Sequence, residues 1–217
     1  MKEESRSTAG KPSQSMAIHT VQGKVIVLPG SDIDTDQIIP ARSMRALTFE
    51  GIEKHLFEDM RQKQKQSHTP HPLDDPRFSG GSVLLVDDNF GCGSSREHAV
   101  QCLRRWGIQA MVGLSFAEIF YGNSVSVGMP CFSIGNEDHR TLKRLVQQWP
   151  RETITLDVRK ATLQFQEFQC GLTMPEGMKN RFLNGTWNSL ARLLEARPSI
   201  EKISQSLPYM KWKVSTV

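Results

Sequence analysis

The chain is poor in cysteine, in long apolar runs and in charge of one sign. Four cysteines, Cys92, Cys102, Cys131 and Cys170, lie 10, 29 and 39 positions apart. No C-x-x-C occurs, so neither a zinc ribbon nor a thioredoxin motif is supported. An iron–sulfur cluster held by this chain alone is not expected either. The longest apolar runs are four residues, Val25–Leu28 and Val83–Val86. A membrane-spanning helix needs ~20, which excludes an integral membrane protein of that kind. Lysine and arginine number 27 against 23 acids, a net charge of +4. The basic residues are not massed in one block, which argues against an anion- or RNA-docking module. Residues 1–10 lack the apolar core of a secretory signal, and Glu3 and Glu4 are unlike an acid-poor transit peptide. The expected setting is a reducing cytoplasm with free thiols.

What is present suits one folded unit. The 217 residues are 38% hydrophobic and 23% charged, enough for a core. Residues 1–20 read as a polar, disordered leader. Lys24–Leu28 is a short β-rich run stopped by Pro29-Gly30. Phe49–Gln66 has helical spacing, with Ile52, Leu56, Phe57 and Met60 on one side. Its end, with Arg61, Lys63 and Lys65, reads as a solvated face. Ser67–Gly81 is expected as a long loop. Strands are predicted at Val83–Val86, Gln109–Val112 and Pro130–Ile134. Helices are predicted at Ser95–Trp106, Phe116–Tyr121 and Asp138–Gln148. Thr153–Val158 and Ala161–Phe168 alternate like a hairpin. Gly177–Ala196 reads as a last helix, interrupted near Gly185. Strands alternating with helices predict an α/β fold with a largely parallel sheet. The closing hairpin suggests a second, antiparallel layer.

The segment richest in chemistry is Asp87-Asp-Asn-Phe-Gly-Cys-Gly-Ser-Ser-Arg-Glu-His98. It sits between a buried strand and a helix, where open sheets bind ligands. Ser94-Ser-Arg-Glu97 matches the S-x-x-E capping box, with Ser94 as N-cap. Free N–H groups of the first turn and Arg96 would then make an anion site. The spacing leaves equally open a plain helix cap after a glycine turn. A dinucleotide fingerprint lacks its third glycine, and a P-loop lacks its lysine.

Asp32, Asp34 and Asp36 stand at alternate positions of a second polar loop. They suit a hard cation or, more simply, a turn built on side-chain-to-backbone bonds. In Ser115-Phe-Ala-Glu-Ile-Phe-Tyr-Gly-Asn-Ser124 the aromatics read as core, while Asn123 and Ser124 are candidates to face a cleft. His55, His68, His71 and His139 read as solvated. His98, next to Arg96, is the exception worth testing.

Three segments carry a resemblance together: Asp32–Arg42, Asn89–Ala99 and Ser115–Ser124. In order and spacing they closely resemble the small subunits of 3-isopropylmalate dehydratase, separately encoded counterparts of the swivelling domain of aconitases. The resemblance covers roughly residues 23–194. It implies a three-layer β/β/α swivelling domain over residues 21–199, a tail over 200–217, and a cluster-binding large subunit as partner. It also implies a hydro-lyase of leucine biosynthesis that converts 2-isopropylmalate to 3-isopropylmalate through an alkene.

By matching position, Ser94 is the base that takes the proton α to a carboxylate. Its anion would need a helix N-terminus and nearby cations. Arg96 grips a substrate carboxylate, Ser95 assists, and Asp36 orients neighbours. The departing hydroxide needs a Lewis acid, implied to be an open iron of a [4Fe–4S] cluster on the partner. No metal ligand is assigned to this chain. The resemblance places substrate choice in the loop after Pro40. Met44 and Leu47 are candidates for an isopropyl group. Arg45 is a candidate for an extra carboxylate, as in homoaconitase or a related hydro-lyase, or for the solvent-facing rim.

Overall fold

The computed structural model describes residues 16–44, 49–66 and 69–207. Seven strands form one hydrogen-bonded sheet, in the order β4-β3-β2-β1-β5-β6-β7. They are β1 (Thr20–Leu28), β2 (Gly81–Val86), β3 (Ala110–Gly113), β4 (Cys131–Ser133), β5 (Thr153–Asp157), β6 (Thr162–Phe165) and β7 (Phe168–Gly171). Neighbours among β1 to β4 run parallel. The pairs β1–β5, β5–β6 and β6–β7 are antiparallel.

The hairpin expected from the sequence is present as β5 and β6, and it shares one hydrogen-bonded sheet with the parallel strands. It joins the parallel set through β1, which is longer than its apolar run. Its first half, Thr20–Lys24, pairs with β5, and its second half, Lys24–Leu28, pairs with β2. The pairing with β2 shifts register between Lys24 and Val25. The two halves carry different patterns. Val25–Leu28 and all of Val83–Val86 are buried, as strands covered on both faces are. β5 and β6 instead alternate, burying Ile154, Leu156, Leu163 and Phe165. β7 is a strand that the sequence did not reveal. Gln166 takes a left-handed φ of 51° at the turn before it, without a glycine to announce the reversal.

The helices are α1 (Thr35–Ile38), α2 (Glu58–Lys65), α3 (Glu97–Trp106), α4 (Glu118–Ser126), α5 (Asn136–Gln148), α6 (Glu176–Leu183), α7 (Ser189–Glu195) and α8 (Arg197–Ser206). α3 buries Ala99, Val100, Cys102 and Leu103, while Glu97, Arg104 and Arg105 are exposed. α5 buries His139, Leu142 and Val146. Each fully buried leucine contributes roughly 1.5–3 kcal/mol of transfer free energy. The interruption near Gly185 is present, with Gly185 at φ 68°.

The helix expected over Phe49–Gln66 is broken. A 3₁₀ turn spans Ile52–His55, and α2 starts only at Glu58. Between them Phe57 has a φ of 50°, and its N–H donates to the Ile38 carbonyl at 2.9 Å. The break lets two neighbours, Leu56 and Phe57, both bury completely. Arg61 is not a solvated side chain. It makes two bonds to Asp74, at 2.9 and 2.5 Å, and lies 5.1 Å from the Trp106 ring.

The loop before β2 contains two 3₁₀ turns, Pro72–Asp74 and Pro76–Phe78. His71 and His139, read as solvated, are buried. The His71 Nδ1 accepts from the Leu73 N–H, and the His139 Nε2 lies 2.8 Å from the Val86 carbonyl. His55 is half-buried, its Nδ1 2.8 Å from Glu58, and His68 lies outside the described residues.

Ahead of β1, the Ile18 N–H donates to the Phe182 carbonyl, and the Trp187 indole N–H to the Met16 carbonyl. At the other end α8 runs across residue 200, where the tail was expected to begin. Residues 1–15 and 208–217 lie outside the described residues. No helix among the described residues is long and apolar enough to cross a membrane.

Candidate active site

The strand order decides where the three motifs go. β1, β2 and β3 are parallel neighbours, so the loops at their carboxyl ends emerge side by side. The Asp32–Asp36 loop follows β1, Asn89–Arg96 follows β2, and Ser115–Phe120 follows β3. This is the edge at which open sheets bind ligands.

Backbone bonds tie the loops together. The Gly91 N–H donates to the Ile33 carbonyl at 2.8 Å, and the Thr35 N–H to the Cys92 carbonyl at 3.0 Å. On the other side the Phe90 N–H donates to the Ser115 carbonyl, and the Ala117 N–H to the Phe90 carbonyl. Side chains add to this. Asn89 Nδ2 donates to Asp32 at 2.7 Å. The Ser115 hydroxyl accepts from the Asn89 N–H and donates to Asp88. Gly91 is required by this crossing. Its φ is 79°, and a Cβ there would lie 2.2 Å from Cγ of Phe120.

The three aspartates of the first loop have three different partners. Asp34 forms the capping box of α1, accepting from the Gln37 N–H while the Gln37 side chain accepts from the Asp34 N–H. Asp32 holds Asn89. Asp36 pairs with Arg96, from Nη1 to Oδ1. Asp34 thus makes the side-chain-to-backbone bond of the turn reading, while Asp32 and Asp36 bond to side chains of the second loop, and among the described residues the three are not grouped as a metal site.

The capping box expected at Ser94 is absent. α3 starts at Glu97, its N-cap is Arg96 in extended conformation, and no side chain caps it. Glu97 instead accepts from Gln101 at 3.1 Å. The S-x-x-E spacing was met, but the Ser94 carbonyl is held by the hydroxyl of Thr35 at 3.0 Å. That bond keeps Ser94 in the loop, and Ser94 and Ser95 are both exposed. Thr35, buried beneath them, had no role in the sequence reading.

A cleft of about 230 Å³ opens at this junction. Thr35, Gly91 and Gly93 line it together with Ser94, Arg96 and Ala117–Phe120. Arg96 is largely buried, its side chain 18% exposed. Met44 and His98 do not line this cleft. They line a recess of about 50 Å³ with His55 and Ile52, and the His98 ring meets Phe49 edge-on. Ser124 is fully buried and donates to the Phe120 carbonyl of its own helix, so it does not face the cleft as expected. Asn123 is half-buried and is not among the cleft's lining residues. Arg45 and Leu47 lie outside the described residues.

The sequence and structure of this site have close counterparts. A family model described as the aconitase C-terminal domain matches residues 16–136. The chain belongs to the aconitase C-terminal domain family. It is 43% identical to a 3-isopropylmalate dehydratase small subunit of Thermus thermophilus, over 87% of this chain and 94% of that protein. It is 38% identical to one from Synechocystis, over 91% and 98% of the two chains. The crystal structure of a 3-isopropylmalate dehydratase from Methanocaldococcus jannaschii has the same fold, with a TM-score of 0.62 and 24% identity, over 84% of this chain and 98% of that one.

The family implies an iron–sulfur cluster, and this aconitase-type domain does not fit one. Among the described residues, no three His, Cys, Asp or Glu side chains are grouped as a metal needs. The thiols are also unsuited to act as thiolates. Burial pushes Cys102 and Cys131 up to about 12, and Cys170 up to about 11. Burial, then Asp34 and Asp32, push Cys92 up as well.

Proposed function

We propose that this chain acts as the small subunit of a 3-isopropylmalate dehydratase in leucine biosynthesis. It would move a hydroxyl between adjacent carbons of isopropylmalate by dehydration and rehydration. The partner would be a large subunit that carries the [4Fe–4S] cluster; among the described residues no grouping suits one. The observation that carries the reading is the convergence of all three resembling motifs on one cleft, with a hydroxyl and a guanidinium at its wall.

Each residue then has a task that its surroundings suit. Arg96 binds a substrate carboxylate. Its planar fork is held by Asp36 through Nη1, which leaves other donors for the ligand. Ser94 Oγ removes the proton α to a carboxylate. A serine hydroxyl is a weak base unless its anion is stabilised, and the cation of Arg96 in the same cleft favours that anion. The Thr35 hydroxyl, on the Ser94 carbonyl, positions the serine. Ser95, exposed and next in sequence to Ser94, assists although it is not among the residues that line the cleft.

The test is reconstitution. The purified chain mixed with its cluster-loaded large subunit is expected to isomerise 2-isopropylmalate. Absence of turnover with the cluster intact would refute the proposal. A panel including homoaconitate, with Arg45→Ala beside the wild type, determines which hydroxy-diacid is preferred.

A further inference from the structure

Two residues at the bases of neighbouring loops share an uncommon backbone conformation. Asp32, in the loop after β1, has a φ of 58°, and Asn89, in the loop after β2, has a φ of 53°. Apart from glycine, Asn and Asp enter this left-handed region most readily. The two are also joined, Asn89 Nδ2 donating to Asp32 Oδ1 at 2.7 Å. The Asn89 N–H is held from the other side by the Ser115 hydroxyl at 2.8 Å, and that hydroxyl donates to Asp88 at 2.5 Å. Asn89 is thus fixed by the loops after β1 and β3 at once. Left-handed backbone at such residues persists where the surroundings hold it, and it collects at functional sites.

Asn89, Asp32 and Ser115 do not line the cleft. Two further ties join the same two loops. The Thr35 hydroxyl donates to the Ser94 carbonyl at 3.0 Å, and Arg96 pairs with Asp36. From the strands outward the order is Asp32–Asn89, Thr35–Ser94, Asp36–Arg96. The first tie lies where the chain turns, so it sets the direction of the segment that carries the other two. We propose that Asn89 is a positioning residue: with Asp32 and Ser115 it locks the turn after β2 and so sets where Ser94 and Arg96 stand in the cleft. This deepens the function proposed above and rests on it. A misplacement of about 1 Å between reacting groups can cost a hundredfold in rate. A bound acid can follow Arg96 by shifting as a whole, so loosening the turn falls on kcat more than on KM.

The experiment measures kcat and KM for 2-isopropylmalate in the reconstituted two-subunit enzyme, with the folded fraction of each variant from circular dichroism. Asn89→Gly keeps the left-handed φ at no steric cost and loses the tie to Asp32. It is expected to stay folded and to lower kcat about tenfold, with KM within about threefold of wild type. Asn89→Asp sets one carboxylate against another and is expected to lose at least as much. Combining Asp32→Asn with Asn89→Asp places a donor opposite an acceptor again, and is expected to return kcat to within about threefold of wild type. Ser115→Ala removes the hold on the Asn89 N–H and is expected to lower kcat as well. A wild-type kcat in Asn89→Gly, a combined exchange no better than Asn89→Asp alone, or losses that only track the unfolded fraction would overturn the proposal. If wild-type enzyme with intact cluster turns over no 2-isopropylmalate, the functional reading itself fails, and this inference with it.

Discussion

Asp36 and Arg96 are 60 positions apart and form one ion pair, Arg96 Nη1 on Asp36 Oδ1. Asp36 is 54% exposed and Arg96 only 18%. The carboxylate thus comes from the rim and fixes a guanidinium that lines the cleft. Asp36→Asn keeps the shape and removes the charge. KM in the reconstituted enzyme is expected to rise about tenfold, with a smaller change in kcat, because a neutral amide holds the fork less firmly. Arg96→Lys is expected to cost more in kcat/KM, about a hundredfold, since a point charge cannot make two parallel bonds to a carboxylate. Steady-state kinetics on both variants check the order.

Ser94→Ala is expected to lower kcat by roughly a hundred- to ten-thousandfold. Ser94 is exposed, and only its backbone carbonyl is engaged with Thr35. Thermal melting and circular dichroism should therefore match the wild type. A kcat within about threefold of wild type would remove Ser94 from the role of base.

Gly91→Ala probes the crossing of the loops. The new Cβ meets the Phe120 ring, and alanine at a φ of 79° is strained. Together these are expected to cost about 2–5 kcal/mol in stability, read from urea unfolding. Activity should fall as well, because Gly91 and Phe120 both line the cleft.

Stability should depend on pH through His71. Burial holds its imidazole down at about 4; Asp74 opposes this shift and Arg61 adds to it. An unfolded histidine titrates near 6.5. Between those values the unfolded chain binds the extra proton, so the fold weakens as pH drops from about 6.5 towards 4. At pH 5 the loss is about 2 kcal/mol relative to pH 7. Asn at position 71 can still accept from the Leu73 N–H but cannot be protonated. The urea midpoint of His71→Asn should accordingly vary less with pH over this window.

Much of this protein was legible along the chain. Apolar runs fixed β1's second half and β2, because continuous burial needs continuous apolar residues. Three-to-four spacing marked α3 and α5. Cysteine spacing excluded a familiar metal motif, and the three motifs identified the family to which the chain belongs. Of the residues that line the cleft, Ser94 and Arg96 were named from sequence, whereas Thr35 was not.

Tertiary structure decided the rest, because those features depend on partners far away in sequence. The pairing of β5 with β1 joins the hairpin to the parallel strands in one hydrogen-bonded sheet. Phe57 breaks a helix in order to bury alongside Leu56, with its N–H on Ile38. Thr35 holds Ser94 in the loop, so the S-x-x-E pattern does not start the helix. Ser124 and Ile119 lie on one short helix, yet the first is buried and the second faces the cleft. Local pattern sets what each segment prefers. Only the packing of segments sets which hydrogen bonds and faces remain available, and with them which side chains can meet a substrate.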